Sequence, residues 1–270
     1  MDNLTQSIRN QRRPKGIVHP IATNYFHLRS PLVTACWSAS FPGFGHIILG
    51  SYVKGFLLIL WEIIVNTQSK VNLAILYSFI GKFDQAKSVI DKRWVFLYVP
   101  LFIYAVWDSY RSTVDINKLS ILADHEKSPI IPVKMNFAEI NYLDKRNPWL
   151  SVLLSVFMPG TGHLYTHRLP TGFFVLGWWI AISYFSHLFE SVYYTAIGAF
   201  NQAIAIVDPE WLLFMPSIIG FTIYDAYVNT VEYNKLFEVE QSRFLKDNYQ
   251  TPNLVRFSKI TKNLLGTVVK

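Results

Sequence analysis

The chain has 270 residues, 51% of them apolar and 16% aromatic, with a formal net charge of +7 and a mean hydropathy of +0.23. That composition is too apolar for an ordinary soluble chain, so the surplus apolar surface is expected to meet lipid. A single cysteine, Cys36, excludes an intramolecular disulfide, and basic residues that flank apolar runs fit anionic lipid headgroups better than nucleic acid.

Residues 1–30 read as a basic tail, with Arg9, Arg12, Arg13, Lys15 and Arg29 and no apolar run long enough for a secretory signal. The tail is expected to stay in the cytosol. Residues 31–119 then form a membrane unit of three apolar segments, called here A (31–50), B (53–79) and C (94–110). Residues 120–147 mix both charge signs with Pro129 and Pro132 and read as a polar linker. A second membrane unit follows at 148–236, with segments at 148–167, 170–197 and 211–227. The remainder, 237–270, is expected to be a cytosolic tail containing an amphipathic basic helix over 254–269. Leu254, Phe257, Ile260, Leu264, Leu265 and Val268 fall on one face there, with Arg256, Lys259 and Lys262 opposite, towards the membrane surface.

The two units are copies. A shift of 117 residues superimposes 31–119 on 148–236 without a gap, and about 26 of the 89 positions are identical. Pro42-Gly43-Phe44-Gly45-His46 meets Pro159-Gly160-Thr161-Gly162-His163, Trp61 meets Trp178, and Asp108 and Tyr110 meet Asp225 and Tyr227. The apolar runs are too long for strands, and lipid-exposed backbone is tolerated only as helix or closed barrel. The expected fold is therefore an all-α integral membrane protein of two tandem repeats of three helical segments. B and C of each copy would supply four full spans, and the two A segments, broken at Pro-Gly, would span or re-enter. Re-entrant A segments make the copies parallel and full spans make them inverted. The Lys and Arg distribution leans towards parallel copies, with both termini cytosolic.

Pro42, Gly43 and Gly45, with Pro159, Gly160 and Gly162, mark helix breaks, since proline removes a donor and glycine opens conformations closed to other residues. His46 with Asp108, and His163 with Asp225, reach similar depth under either threading. Each pair forms a candidate polar site, as an interhelical clasp or as a proton relay. Glu62 lies inside an apolar stretch where the second copy has Trp179, which makes it a further site candidate at membrane depth. There is no Walker A loop, G-x-S-x-G, H-E-x-x-H or paired C-x-x-C. Enzymatic activity therefore has no support in the sequence, and neither metal nor cofactor is expected.

At the Pro-Gly-x-Gly-His turns, the following Gly55 and Gly172, and the later Trp107-Asp108-Ser109-Tyr110 and Tyr224-Asp225-Ala226-Tyr227, the chain resembles the TM-two type of small bacterial membrane domain. The resemblance covers each repeat and implies a membrane location and a helical fold, with little about activity. Ile47-Ile48-Leu49-Gly50 and Leu164-Tyr165-Thr166-His167 depart from the family pattern, as does the long insertion between B and C. The expected function is that of a non-enzymatic organising or regulatory protein of the bacterial cell membrane, multi-pass, with lipid and membrane proteins as partners. The alternative is a small-ion or solute transporter or channel at the repeat interface, and a membrane-embedded hydrolase ranks third.

Overall fold

Two short hairpins precede the two helical units. Gly16–His19 (β1) pairs antiparallel with Ala22–Tyr25 (β2), Gly16 opposite Tyr25 and His19 opposite Ala22. Ile130–Ile131 (β3) joins β1 in parallel. Val133–Met135 (β4) pairs antiparallel with Ile140–Tyr142 (β5), Val133 opposite Tyr142. The two hairpins obey the same 117-residue offset as the helices, because Gly16–Tyr25 becomes Val133–Tyr142. The computed structural model describes residues 14–126, 128–135, 137 and 139–250.

The helices of the first unit are Pro31–Ser40 (α1), Phe44–Ile48 (α2), Tyr52–Ser69 (α3), Val71–Phe79 (α4), Phe83–Val89 (α5) and Lys92–His125 (α6). Proline at the first helical position of α1 costs no hydrogen bond there. The helix stops where Phe41 turns extended, Pro42 withholds a donor and Gly43 takes φ +106°. The second unit repeats the order as Pro148–Phe157 (α7), Thr161–Tyr165 (α8), Leu169–Phe185 (α9), Leu188–Ala196 (α10), Phe200–Ile206 (α11), Pro209–Leu212 (α12) and Met215–Tyr249 (α13). Gly160 makes the same turn at φ +101°. A Cβ on Gly43 would lie 2.5 Å from the Gly55 carbonyl oxygen, and one on Gly160 would lie 2.5 Å from that of Gly172. Both turns therefore need glycine for space as well as for φ.

Contacts along the helices fix the threading. Lys54 meets Asp108, Glu62 meets Tyr98, and the Ser69 carbonyl accepts from Asp91 N, so α3 and α6 are antiparallel. The Asn117 side chain clamps both backbone groups of Arg29 (2.9 and 2.7 Å), and Gly45 sits against Thr34, Ser38 and Ser109, so α1 is antiparallel to α6 as well. Helices α1 and α3 thus point the same way, and α2 carries the chain back to the end it left. The A segment folds back on itself at its Pro-Gly turn instead of running straight through. In the second unit Asn234 clamps Arg146 (2.8 and 2.7 Å) and the Ser186 carbonyl accepts from Asp208 N, the same arrangement. Both units start at the strand end, where Leu169 N donates to Ile21 O and Tyr233 Oη to Tyr142 O. At the opposite end Asn72 Nδ2 donates to Glu210 O. The copies are parallel.

Several expectations change. The fold is not all-α, because the strands above are present, and four full spans are not found. Among the described residues one continuous helical stretch, Pro209–Tyr249, is long and apolar enough to cross a membrane. The second B segment is a broken pair, Leu169–Phe185 and Leu188–Ala196, bent by 59°. The cause is a left-handed residue at each break, His187 at φ +54° and Lys70 at φ +60° in the first copy, which ends a helix although neither is Gly or Pro. Helix α6 is 34 residues long, but Pro100, Asp108, Arg111 and its tyrosines dilute its apolar run. Residues 120–147 contain the end of α6 and three strands rather than a plain linker. Of the expected cytosolic tail, 237–249 continues α13. The helix expected at 254–269, with Arg256, Lys259 and Lys262, lies outside the described residues.

The main core is the junction between the copies. Phe44 of α2 stacks on Phe221 of α13 with ring centroids 4.0 Å apart, and Phe56 stacks on Phe174 at 4.0 Å. Ile47, Ile59, Ile63, Val175, Ile182 and Ile218 fill the space around them. Offset aromatic pairs add about 0.5–1.5 kcal/mol each beyond burial. A second cluster of Val18, Leu143, Tyr233 and Leu236 seats the strands on α13.

Candidate functional site

Helix α2 carries His46 to the middle of α6, where its Nε2–H donates to Asp108 Oδ2 at 2.9 Å. Lys54, in the first turn of α3, reaches the same oxygen at 2.8 Å. The second copy repeats the first contact, with His163 Nε2–H donating to Asp225 Oδ2 at 2.9 Å. The cation there comes from elsewhere: Arg168, immediately before α9, pairs with Asp225, and Asn229 Nδ2 donates to Asp225 Oδ1 at 2.6 Å. At the equivalent positions the first copy has Ser51 and the second has Thr171. The same clasp is therefore completed by two non-equivalent cations.

Exposure separates the copies. The Asp108 and Lys54 side chains are 14% and 46% exposed, whereas those of His163 and Asp225 are 0% and 1% exposed. Solvent screens the first pair and not the second. Nδ1 of each ring is buried without a partner among the described residues, which fits a neutral imidazole protonated on Nε2. A second N–H there would be an unsatisfied donor. Burial works against Arg168, but Asp225 and Tyr52 more than offset it and hold its pKa above the ordinary arginine range.

A relay needs a proton path through both ring nitrogens, and in each ring only Nε2 has a partner among the described residues. The geometry is that of a clasp that ties the Pro-Gly turn to the long helix of each copy. Pro42, Gly43 and Gly45, and Pro159, Gly160 and Gly162, shape that turn and stand behind the histidines. Among the described residues no group of three or more metal-binding side chains is gathered.

Glu62 does not join the clasp. It meets Tyr98, which lies ten residues before Asp108 on α6, about 15 Å along a helix axis. It starts instead a buried chain of polar groups between the copies. Glu62 Oε1 accepts from Asn66 Nδ2 (3.0 Å), Asn66 meets Asn72 (3.2 Å), and Asn72 and Leu73 N bond Glu210 (2.9 and 2.8 Å). One oxygen of each carboxyl, Glu62 Oε2 and Glu210 Oε1, has no partner among the described residues. Asn66, Asn72 and Glu210 escape a reading based on the repeat because their counterparts are Ser183, Phe189 and Arg93. The only sequence signal for them is that divergence.

Comparison of the chain with protein-family models, with curated proteins and with solved structures found no match to any of them.

Proposed function

We propose that this chain is a non-enzymatic protein seated in a lipid bilayer, where it organises or regulates other membrane components. The observation that carries the reading is an inside-out distribution of side chains. Large apolar residues lie exposed along outer helix faces, as at Val53, Leu57 and Ile64 of α3, Phe96 and Ile103 of α6, and Trp149 and Phe157 of α7. Charged and polar residues such as His163, Asp225, Arg168, Glu62 and Glu210 are buried. Apolar patches of this extent mark contact with lipid or protein, and acyl chains suit faces contributed by several helices. Lys15, Arg29, Arg111, Lys118, Lys145, Arg146 and Lys235 gather towards the strand end, which favours that end in the cytosol. The resemblance to TM-two-type domains at the Pro-Gly-x-Gly-His turns points the same way.

The closed clasps favour a fixed platform over a carrier. One observation favours the transport reading, namely the buried Glu62–Asn66–Asn72–Glu210 chain that links the copies. Membrane extraction and reconstitution separate the alternatives. The protein is expected to stay with membranes through an alkaline carbonate wash, and proteoliposomes are expected to pass protons, alkali cations and chloride no faster than protein-free vesicles. Release by the wash overturns the bilayer seat. Flux that Asp225→Asn or Glu62→Gln abolishes overturns the organising role.

A further inference from the structure

A cavity of about 450 Å³ opens at the strand end, between the first hairpin and the second copy. Its wall includes Lys15, Asn24, Tyr25, Arg29, Tyr52 and Arg168, with apolar side chains such as Ile48 and Leu49 completing it. Two of the three cations are matched: Lys15 pairs with Asp124 at 2.7 Å and Arg168 with Asp225. Arg29 is different. Asn117 clamps its backbone, while its guanidinium makes no hydrogen bond or ion pair among the described residues. Its electrostatic neighbours are Tyr25, Asp225, Arg168 and Tyr52. Three cations thus line a cavity whose own wall holds no carboxylate; two of them are paired with aspartates, while Arg29, which also borders a smaller cavity shared with Glu232, has no direct partner for its guanidinium among the described residues.

The repeat makes the comparison internal. Arg146 is the counterpart of Arg29, 117 residues on, and it lies over two rings, Tyr142 at 5.8 Å and Tyr165 at 5.5 Å. The position of Tyr165 is Ile48 in the first copy, so Arg29 lacks that second ring. One copy stacks its arginine and the other turns it to a cavity. Planar guanidinium forks match the oxygens of phosphate, the Tyr52 hydroxyl and the Asn24 amide add neutral polar groups, since the Tyr25 hydroxyl is already committed to Asn229 O, and the volume exceeds that of a bare ion.

We propose that this cavity binds the phosphate of a phosphomonoester, held by Arg29 with Arg168 and Tyr52 and with its organic part against the apolar wall. The source is either a soluble phosphomonoester or a phosphatidic acid headgroup. The site needs only the folded strand end and stands apart from the bilayer reading, so the test has a soluble and a lipid arm. Detergent-purified full-length protein is titrated by calorimetry with inorganic phosphate and glycerol 3-phosphate. It is also tested for co-flotation with phosphatidylcholine vesicles with and without phosphatidic acid. Binding in either arm is expected, about 10- to 100-fold weaker in Arg29→Gln and largely retained in Arg29→Lys. Modification of Arg29 by phenylglyoxal in the unaltered protein reads the site without a substitution, and the bound ligand is expected to protect Arg29. No binding in either arm, Arg29→Gln binding as well as the parent, or no protection of Arg29 overturns the assignment.

Discussion

Replacing Arg168 by Gln strips the second-copy clasp of its paired cation and leaves Asp225, 1% exposed, hydrogen-bonded to His163 and Asn229, with Arg29 acting on it only at longer range. Breaking a buried ion pair from one side costs about 3–5 kcal/mol, most of it the penalty of the charge left behind. Lys54→Gln performs the same operation in the first copy, where Lys54 is 46% exposed, and exposed pairs are worth about 0–1 kcal/mol. The copies should therefore differ by several kcal/mol for one formal change. The assay is reversible unfolding of the purified protein in detergent micelles, followed by tryptophan fluorescence, for each single variant and for Arg168→Gln with Asp225→Asn. The double variant should recover part of the loss, because it removes both charges. Equal costs in the two copies, or strict additivity of Arg168→Gln and Asp225→Asn, would refute the reasoning.

Other outcomes follow from the same contacts. Asn117→Ala and Asn234→Ala each remove a two-bond backbone clamp of matched geometry, so chemical unfolding should register equal losses of about 1–3 kcal/mol in both. Gly160→Ala should cost about 2–4 kcal/mol through positive φ and the Gly172 carbonyl, whereas Gly177→Ala, with open space around its Cβ, should be neutral or stabilising. Burial, then Arg29, lowers the pKa of His27 from 6.5 to about 3. The unfolded chain then takes up the proton first as pH falls, so this contribution is complete above pH 6.5 and declines towards pH 3. Its slope is up to about 1.4 kcal/mol per pH unit. Unfolding curves at pH 6.5 and pH 5 should show that decline, and His27→Gln should flatten it.

Much of this arrangement is written in the sequence, and the parts that are not have physical reasons. The duplicated turns are visible because Pro-Gly-x-Gly is required at both places for space and φ, and the spacing of His46 from Asp108 sets their common depth. The hairpins are harder to see, since backbone pairing holds them and few side chains are constrained. Only Asn24/Asn141, Tyr25/Tyr142 and Arg29/Arg146 keep the 117-residue offset in that region. The helix breaks at Lys70 and His187 carry no glycine or proline, so an apolar run reads through them as one span. Arg168 and Lys54 occupy non-equivalent positions, which hides a shared role from any comparison of the copies.

The exposed apolar faces are the heart of the functional reading, and Cys36 offers direct access to them. It is the only cysteine in the chain and lies exposed on α1, close to exposed Leu32 and Val33. A nitroxide attached there, in protein reconstituted into liposomes, reports by power-saturation spectroscopy whether oxygen or a water-soluble nickel chelate relaxes it. A bilayer seat predicts strong relaxation by oxygen and almost none by nickel. Strong relaxation by nickel, with oxygen no more effective than at an aqueous site, would contradict it.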